Sequence, residues 1–447
     1  HPDVEPGIVG FAMSDASDGP ARILRVFYTG LLYLALPMVW LRLYWRGRRD
    51  PDHRRRWAER LGFTPPLPQR GCLWVHAVSV GETRAALPLI RALQARYPAT
   101  PLLVTTTTLT GSRQVQEALG DRVHHAYAPY DLPGAVRRFL QRTRPQLAVI
   151  METELWPNLL RRCAATGIPV VIANARLSER SARGYARIQR LTAAMLRDVA
   201  LIAAQADADA ERFRILGAPR VRMVGNLKYD LTLPDELPTR GRQLRRELLG
   251  EQRPVWIAAS THAGEEAQIL EAFAWVRPRW PELLLLLVPR HPERFDNVAT
   301  LCQERGFKHI RRSERQPCAP DTAVFLGDSM GELLLFYAAA DLAFVGGSLV
   351  PTGGHNVLEP ALLGLPVIFG PHMFNFSEAG QRLLEAEAAW QVADAAALAT
   401  LVDRLLANFE SRQIAGQRGR AVVECHRGAL RALLDCVEML LARPNSG

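Results

Sequence analysis

The stretch WVHAVSVGETRAALPLIRAL, residues 74–93, runs from an apolar strand pattern through a short polar turn into a helical pattern, and this unit decides the fold. Similar apolar runs recur along the chain with room for a helix between them. They are PLLVTTT, LAVIM, VVIANA, LIAAQ and VRMVG in the first half, and PVWIAAS, LLLLLVPR, AVFLGD, LAFVGGS and PVIFGP in the second. Strands that alternate with helices predict βαβ units and parallel sheets in an α/β protein.

Two domains are expected, because 447 residues exceed what one ordinary hydrophobic core accommodates. The polar, proline-bearing stretch DLTLPDELPTRG, residues 230–241, separates the two sets of strands and is the predicted linker. We expect two Rossmann-like doubly wound domains, residues 49–229 and 242–447, that face each other across a cleft. The final helical stretch, from about Leu398, packs on the second domain or back on the first. Ligands of such folds bind at the carboxyl ends of the strands.

The N-terminal segment resembles a membrane anchor. Residues 26–41, VFYTGLLYLALPMVWL, carry no charge, and we expect an anchor helix over residues 22–48. A cleavable signal peptide and a buried core helix are the alternatives, and both spanning and lying in the membrane interface fit the length. An arginine-rich flank follows the apolar run: Arg42, Arg46, Arg48, Arg49, Arg54, Arg55 and Arg56. This flank predicts a cytoplasmic location for the rest of the chain. Residues 1–12 look dispensable.

Composition restricts the partners and the chemistry. The formal net charge of +10 favours nucleic acid, phosphorylated metabolites or an anionic membrane as partners. No helix-turn-helix, zinc-finger or RNA-stacking signature is present, so nucleic acid is not an expected partner. The six cysteines form no CxxC pair and the histidines lack HxxxH or HExxH spacing, so no metal site is predicted. Neither GxGxxG after the first strand nor GxxxxGK[ST] occurs, which argues against hydride transfer and a P-loop.

Acidic residues follow two predicted strands of the first domain. Glu82 ends a Ser79-x-x-Glu82 pattern, which is typical of a helix capping box and also puts a carboxylate where a general base would be useful. Glu154 follows the strand LAVIM; it either supports the site or fixes the neighbouring loop. A basic segment after the next strand is a candidate phosphate clamp or a solvated helix face. Its arginines are Arg176, Arg180, Arg183 and Arg187.

Turns of the second domain carry the candidate donor-binding residues. Backbone N–H groups at the turn between a strand and a helix, together with the helix dipole, favour a phosphate. The glycines of GGHNVLEP, residues 353–360, permit close approach of a nucleotide. Within that segment Asn356 can donate to phosphate, Glu359 can accept from ribose hydroxyls, and His355 either binds or caps the turn. The full set is Ser260, Thr261, Arg290, His291, Met330, Gly331, Glu332, Gly354, His355, Asn356 and Glu359.

Four motifs, VHAVSVGE, ELWPN, PRHPER and GGHNVLEP, stand in this order behind the apolar segment. Together they make the chain, from about Arg22 onward, resemble the 3-deoxy-D-manno-octulosonic acid (Kdo) transferases of lipopolysaccharide synthesis. The resemblance implies a GT-B fold and an inverting transfer of Kdo from CMP-Kdo to a lipid A precursor, with no metal or other cofactor. It implies an N-terminal acceptor domain and a C-terminal CMP-Kdo-binding domain. It also implies that the enzyme acts at the cytoplasmic face of the inner membrane.

The same resemblance implies that Glu82 is the catalytic base. The nearby helix N-terminus is expected to keep its carboxylate ionised. Two alternatives stay open at this point: another GT-B enzyme that uses a UDP-sugar, and a membrane-tethered nucleotide-binding protein without turnover.

Overall fold

The computed structural model describes residues 19–49 and 56–442. Residues 1–12, Arg54 and Arg55, which the sequence singles out, lie outside these ranges. The chain divides into two compact units: the first runs to Asp230 and resumes at Gly428, and the second is Leu231–Arg427.

The sheet of the first unit has seven parallel strands in the order β3-β2-β1-β4-β5-β6-β7. The strands are β1 Cys72–His76, β2 Leu102–Thr106, β3 His124–Tyr127, β4 Pro145–Met151, β5 Val170–Ala175, β6 Leu201–Ala204 and β7 Val221–Met223. Every residue of β1 and of β2 is buried, because helices cover both faces of the sheet. The strand order reverses between β1 and β4, and a topological switch point of this kind is where doubly wound folds bind ligands.

Eight helices precede Asp230 in the described part of this unit. They are α1 Gly19–Arg49, α2 Val80–Arg96, α3 Leu109–Leu119, α4 Pro133–Thr143, α5 Pro157–Ala165, α6 Glu179–Ala186, α7 Gln189–Asp198 and α8 Asp207–Ile215. Their starts follow local chemistry. Side-chain hydroxyls of Ser79, Thr108 and Ser178 accept hydrogen bonds from the first turns of α2, α3 and α6, and proline opens α4 and α5.

The sheet of the second unit also has seven parallel strands, in the order β10-β11-β9-β8-β12-β13-β14. The strands are β8 Val255–Thr261, β9 Leu284–Pro289, β10 His309–Arg311, β11 Val324–Leu326, β12 Leu342–Val345, β13 Val367–Phe369 and β14 Ala389–Gln391. The helices are α9 Leu237–Leu244, α10 Glu265–Val276, α11 Phe295–Glu304, α12 Leu333–Ala338, α13 Leu358–Leu362, α14 Ser377–Glu385, α15 Ala395–Ala407 and α16 Phe409–Cys425. The switch point of this sheet lies between β8 and β12.

The bounds of the two units add detail to the predicted domains. The second half of the expected linker is helical, because α9 begins at Leu237, whose side chain is buried in the core of the second unit. The last helix, α17 Ala429–Leu441, belongs to the first unit, where Leu433 packs in the same hydrophobic cluster as residues of α2. The carboxylate of Asp230 accepts hydrogen bonds from the N–H groups of Gly428 and Leu430, both at 2.7 Å, and so caps α17.

Helix α1 has two different faces. It is long and apolar enough to cross a membrane over Gly19–Trp45, by length and composition alone. One stripe contacts the first unit: Leu24 packs against its core, and Thr29 Oγ1 accepts a hydrogen bond of 2.9 Å from Asn158 Nδ2 at the start of α5. Large apolar side chains on the other face are exposed, Phe27 by 66% and Leu34 by 79%. An apolar face that no described residue of the chain covers is typical of a surface that meets lipid.

Candidate active site

Glu82 lies at the switch point of the first sheet, in the first turn of the helix that follows β1. The capping interaction is present: Ser79 Oγ accepts a hydrogen bond of 3.4 Å from the Glu82 N–H group. The Glu82 side chain reaches back one residue beyond the cap, where Oε2 accepts from the Val78 N–H group at 2.8 Å. The half-buried carboxylate is therefore held in place by the backbone, while its second oxygen has, among residues 19–49 and 56–442, only a long contact of 3.4 Å with Ser79 Oγ.

The protonation state of Glu82 differs from the expectation. Burial raises the pKa of its carboxyl group to about 7, against the hydrogen bond from Val78, and the neighbouring carboxylates of Glu152 and Glu154 raise the pKa further. This shift of the pKa is opposite in direction to the effect expected of the helix N-terminus alone, because burial removes water from the carboxylate. A carboxyl group with a pKa near neutrality suits proton transfer at physiological pH.

Glu154 lies beyond the end of β4, the neighbouring strand across the switch point. Its Oε2 accepts a hydrogen bond of 2.8 Å from the indole N–H group of Trp156. Burial raises the pKa of this carboxyl group too, and the charge of Glu152 adds to the effect. The Trp156 ring packs 5.0 Å from the imidazole of His76, the last residue of β1. Glu154 thus has a structural partner, which accords with a supporting role at the site.

His76 is a residue that the sequence reasoning did not single out. It is fully buried, its Nδ1 lies 2.8 Å from Thr105 Oγ1, and its Nε2 has no hydrogen-bond partner among the described residues. Burial lowers the pKa of this imidazole to about 4, so the ring is neutral at pH 7. His76 lies within the motif VHAVSVGE, and this position could have identified it as a candidate site residue.

The predicted phosphate clamp lies on the surface of the first unit. Arg176 precedes α6, Arg180 and Arg183 lie within it, and Arg187 follows it; all four side chains are exposed. Solvent exposure fits both readings, a solvated helix face and a set of cations available to an anionic ligand.

Glu265, which the sequence reasoning missed, organises the switch point of the second sheet. It is fully buried in the first turn of α10. Its Oε2 accepts from the N–H groups of His262 (2.9 Å) and Gly347 (2.7 Å). Its Oε1 accepts from those of Ser348 and Leu349, both at 2.9 Å. The backbone N–H group of His262 therefore already donates to the Glu265 carboxylate. The sequence predicts that N–H groups in this turn bind a phosphate, but this one is not available.

Three histidine rings meet beside this carboxylate. Nε2 of His262 lies 2.7 Å from Nε2 of His355, and the two rings are stacked 5.0 Å apart. The ring of His291 stands edge-on to His262 at 5.2 Å. Burial lowers the pKa of His262, and the charge of His291 lowers it further. Because a contact between two ring nitrogens needs one donor and one acceptor, the His262–His355 pair favours a neutral acceptor ring.

The GGHNVLEP segment follows β12 and leads into α13. Gly354 has φ of +75°, and a Cβ atom there would lie 2.3 Å from the sulfur of Met373, so both conformation and space require glycine. Asn356 Oδ1 accepts from the Leu358 N–H group at 3.0 Å, and one of the two amide hydrogens is donated to Glu359. Burial raises the pKa of the Glu359 carboxyl group, against a hydrogen bond from Asn356.

The other predicted donor residues have mixed surroundings. Thr261 Oγ1 donates to Glu266 at 2.8 Å in a buried contact, so this hydroxyl is engaged within the protein. Ser260 is buried with φ of +57°. Arg290 is half-buried directly after β9, and the side chain of His291 is 46% exposed.

Glu332, at the start of α12, is held by protein groups. It accepts two hydrogen bonds from Arg312, at 2.9 and 3.1 Å, and one from Ser329 at 2.5 Å. Burial opposes ionisation, but these bonds keep the pKa of Glu332 below its ordinary value. Met330 is 58% exposed and Gly331 is exposed too, so the turn before Glu332 is open to solvent. Gly331 has φ of +81°.

The described residues contain no cluster of side chains that could bind a metal ion. Within residues 19–49 and 56–442, no group of three or more His, Cys, Asp or Glu side chains is arranged to hold a metal ion. All six cysteines are free thiols, and Cys425 is the exposed one.

Two doubly wound parallel sheets, each with polar side chains at its switch point, define the GT-B class of fold. MurG of Acinetobacter baumannii has the same architecture: its solved structure aligns with a TM-score of 0.54 over 83% of this chain and 100% of that one. At 11% identity this likeness shows the fold alone.

Sequence relatives identify the family. A family model described as 3-deoxy-D-manno-octulosonic-acid transferase (kdotransferase) matches residues 55–231. The 3-deoxy-D-manno-octulosonic acid transferase of Haemophilus influenzae is 46% identical over 94% of this chain and 99% of its own length, and that of Bordetella pertussis is 39% identical over 93% and 99%. The chain belongs to the 3-deoxy-D-manno-octulosonic acid transferase family and is a glycosyltransferase. The alternatives of a UDP-sugar enzyme and a non-catalytic nucleotide-binding protein are not favoured.

Proposed function

We propose that this protein transfers Kdo from CMP-Kdo to a lipid A precursor with inversion at the anomeric carbon, and that Glu82 is the general base. The observation that carries the proposal is the half-buried Glu82 carboxyl group, at the switch point of the first sheet, with a pKa of about 7. Near pH 7 a large fraction of such a group is ionised, yet it is basic enough to take a proton in the transition state.

In the proposed step a hydroxyl oxygen of the acceptor attacks the anomeric carbon of Kdo. The new bond from oxygen to carbon forms while the bond from that carbon to the phosphate oxygen breaks, and CMP leaves with the electron pair. Glu82 takes the proton of the attacking hydroxyl and later returns it to water. The hydrogen bond from the Val78 N–H group fixes one carboxylate oxygen, which leaves the other to face the hydroxyl.

The donor site is proposed at the second switch point. Arg290 and His291 follow β9 there, and the GGHNVLEP segment follows β12. The guanidinium group of Arg290 and the amide nitrogen of Asn356 are suited to stabilise the phosphate charge of CMP as it leaves. Glu359 is suited to accept hydrogen bonds from the ribose hydroxyls. Ser260, Thr261, Met330, Gly331, Glu332, Gly354 and His355 complete the proposed donor set.

The acceptor site is proposed in the first unit, where Arg176, Arg180 and Arg183 are suited to bind the phosphate groups of the lipid because their charges are exposed. Glu154 is a supporting residue.

Helix α1 is proposed as the membrane anchor at the cytoplasmic face of the inner membrane. We propose that it lies in the interface, since one stripe of the helix is already held by the protein through Thr29 and Asn158. The opposite face, with Phe27 and Leu34, is then buried among the acyl chains.

The test is a transfer assay with the purified full chain, CMP-Kdo and a lipid A precursor. CMP release and the mass of the lipid product are measured together, with UDP-N-acetylglucosamine as the alternative donor. The proposal expects CMP release that requires the lipid, and a product heavier by whole Kdo units. Transfer from the UDP-sugar alone, or CMP binding without a product, would overturn it.

A further inference from the structure

An apolar cavity of about 220 Å³ lies between α1 and the rest of the first unit. On the α1 side of the cavity, beside Tyr28, lie Leu32, Ala35, Leu36 and Val39, whose spacing puts them on one face of the helix. All four are half-buried, in contrast to their neighbours Leu34 and Met38 on the outer face, which are exposed by 79% and 69%. The cavity thus belongs to the same helix that presents an apolar surface outward.

The opposite wall of the cavity adjoins the candidate catalytic carboxylates. Thr107 lines the cavity and donates its hydroxyl hydrogen to the Val78 carbonyl at 3.1 Å, and the N–H group of Val78 binds Glu82. Trp156 also lines the cavity, and its indole N–H group binds Glu154. Val78 therefore separates the cavity wall from the Glu82 carboxylate, and the wall residue Trp156 contacts the Glu154 carboxylate directly.

Two charged side chains, Asp131 and Arg60, lie on the cavity wall. Asp131 is a wall residue, but its carboxylate accepts from the N–H groups of Asn158 (3.0 Å) and Leu159 (2.7 Å) and so caps α5. The guanidinium group of Arg60 donates to the Thr107 carbonyl at 2.9 Å and lies 4.3 Å from the centre of the Tyr127 ring. Because these contacts of Arg60 are with neutral groups, its charge attracts an anionic head group.

We infer that this cavity binds one acyl chain of the acceptor lipid and thereby sets the position of the acceptor sugar relative to Glu82. The inference rests on the proposed function, which makes the acceptor a phosphorylated, acylated sugar. An acyl chain matches the apolar lining, an anionic head group matches Arg60, and a chain that leaves the bilayer beside α1 reaches the cavity without crossing water. Each methylene group that enters the cavity from water, as in a short-chain acceptor dissolved without detergent, should tighten binding about fourfold.

A cavity-filling substitution with a matched control tests the inference. Ala35→Trp puts an indole into the cavity, whereas Leu34→Trp puts the same group on the outer face of α1 one residue away. Initial rates are measured in detergent with a long-chain acceptor and with its deacylated counterpart. Ala35→Trp should raise the KM for the long-chain acceptor more than tenfold. It should leave the KM for CMP-Kdo and for the deacylated acceptor within twofold, and Leu34→Trp should leave all three within twofold.

A series of acceptors with different acyl-chain lengths, measured on the wild-type protein, tests the same inference without a substitution that could impair folding. For short-chain acceptors that dissolve as monomers without detergent, the KM should fall about fourfold per added methylene group until the cavity is full, and Val39→Phe should end this fall at a shorter chain. Equal KM values for Ala35→Trp, Leu34→Trp and wild type would overturn the inference. So would a loss of liposome binding by Ala35→Trp with an unchanged acceptor KM, since the cavity then holds bulk phospholipid. If the wild-type protein transfers no Kdo to any acceptor, the proposed function itself fails.

Discussion

Replacing Glu265 by glutamine should lower the stability of the second unit. The carboxylate accepts four backbone N–H bonds, two at each oxygen, from His262, Gly347, Ser348 and Leu349. An amide keeps one acceptor oxygen and turns an NH₂ group toward the other two donors. Two bonds to a charged group are lost, each worth about 1.5–3 kcal/mol, so the unfolding free energy should fall by about 3–6 kcal/mol.

The assay is thermal unfolding of the full chain, followed by calorimetric titration with CMP. For a unit of this size the loss corresponds to a decrease in Tm of at least about 6 °C. CMP affinity should fall at least tenfold, because Gly347, Ser348 and Leu349 lead into the GGHNVLEP segment. Glu271→Gln, a half-buried glutamate of the same helix, is the matched control and should change neither quantity. A Glu265→Gln protein whose Tm equals that of the Glu271→Gln control would refute the reasoning.

Three further outcomes are expected. The kcat/KM for transfer should rise with pH through about 7, because burial raises the pKa of Glu82 and only the ionised form accepts a proton; a flat profile from pH 6 to 8 would contradict this. Arg290→Ala should raise the KM for CMP-Kdo by about 10- to 150-fold with little change for the acceptor, as steady-state kinetics will show. Deleting the residues before Pro51 should release the protein from sedimented membranes while calorimetry still detects CMP binding, and retention in high salt would point to further anchoring surfaces.

The central strands of both sheets and the edge strand β7 could be predicted from the sequence, whereas the other three edge strands could not. Parallel strands buried on both faces read as continuous apolar runs, as in β9, LLLLVP. The missed strands are β3, β10 and β14, which are short and lie at the sheet edges. The half-exposed residues of β10, HIR, carry no apolar pattern, so only pairing with a neighbour makes them a strand.

The position of the candidate site was also predictable, but its electrostatics were not. Polar residues after β1 and β8 lie at the switch points, as the alternation of strands and helices indicates. The pKa of Glu82 depends on how deeply the folded chain buries it, which no local pattern reports. Glu265 was missed because an acidic residue in a first helical turn is ordinary; its role comes from Gly347, 82 residues away in the chain.

The most direct test of Glu82 as the catalytic base is single-turnover transfer by Glu82→Gln. Glutamine keeps the side-chain size and can still accept from the Val78 N–H group, so the capping interaction and the melting temperature should be retained. An amide cannot take the proton of the acceptor hydroxyl, so transfer from bound CMP-Kdo should slow by about 10²- to 10⁴-fold while CMP-Kdo affinity stays unchanged. Near-normal transfer by a stably folded Glu82→Gln protein would contradict the account and make Glu154 the next residue to replace.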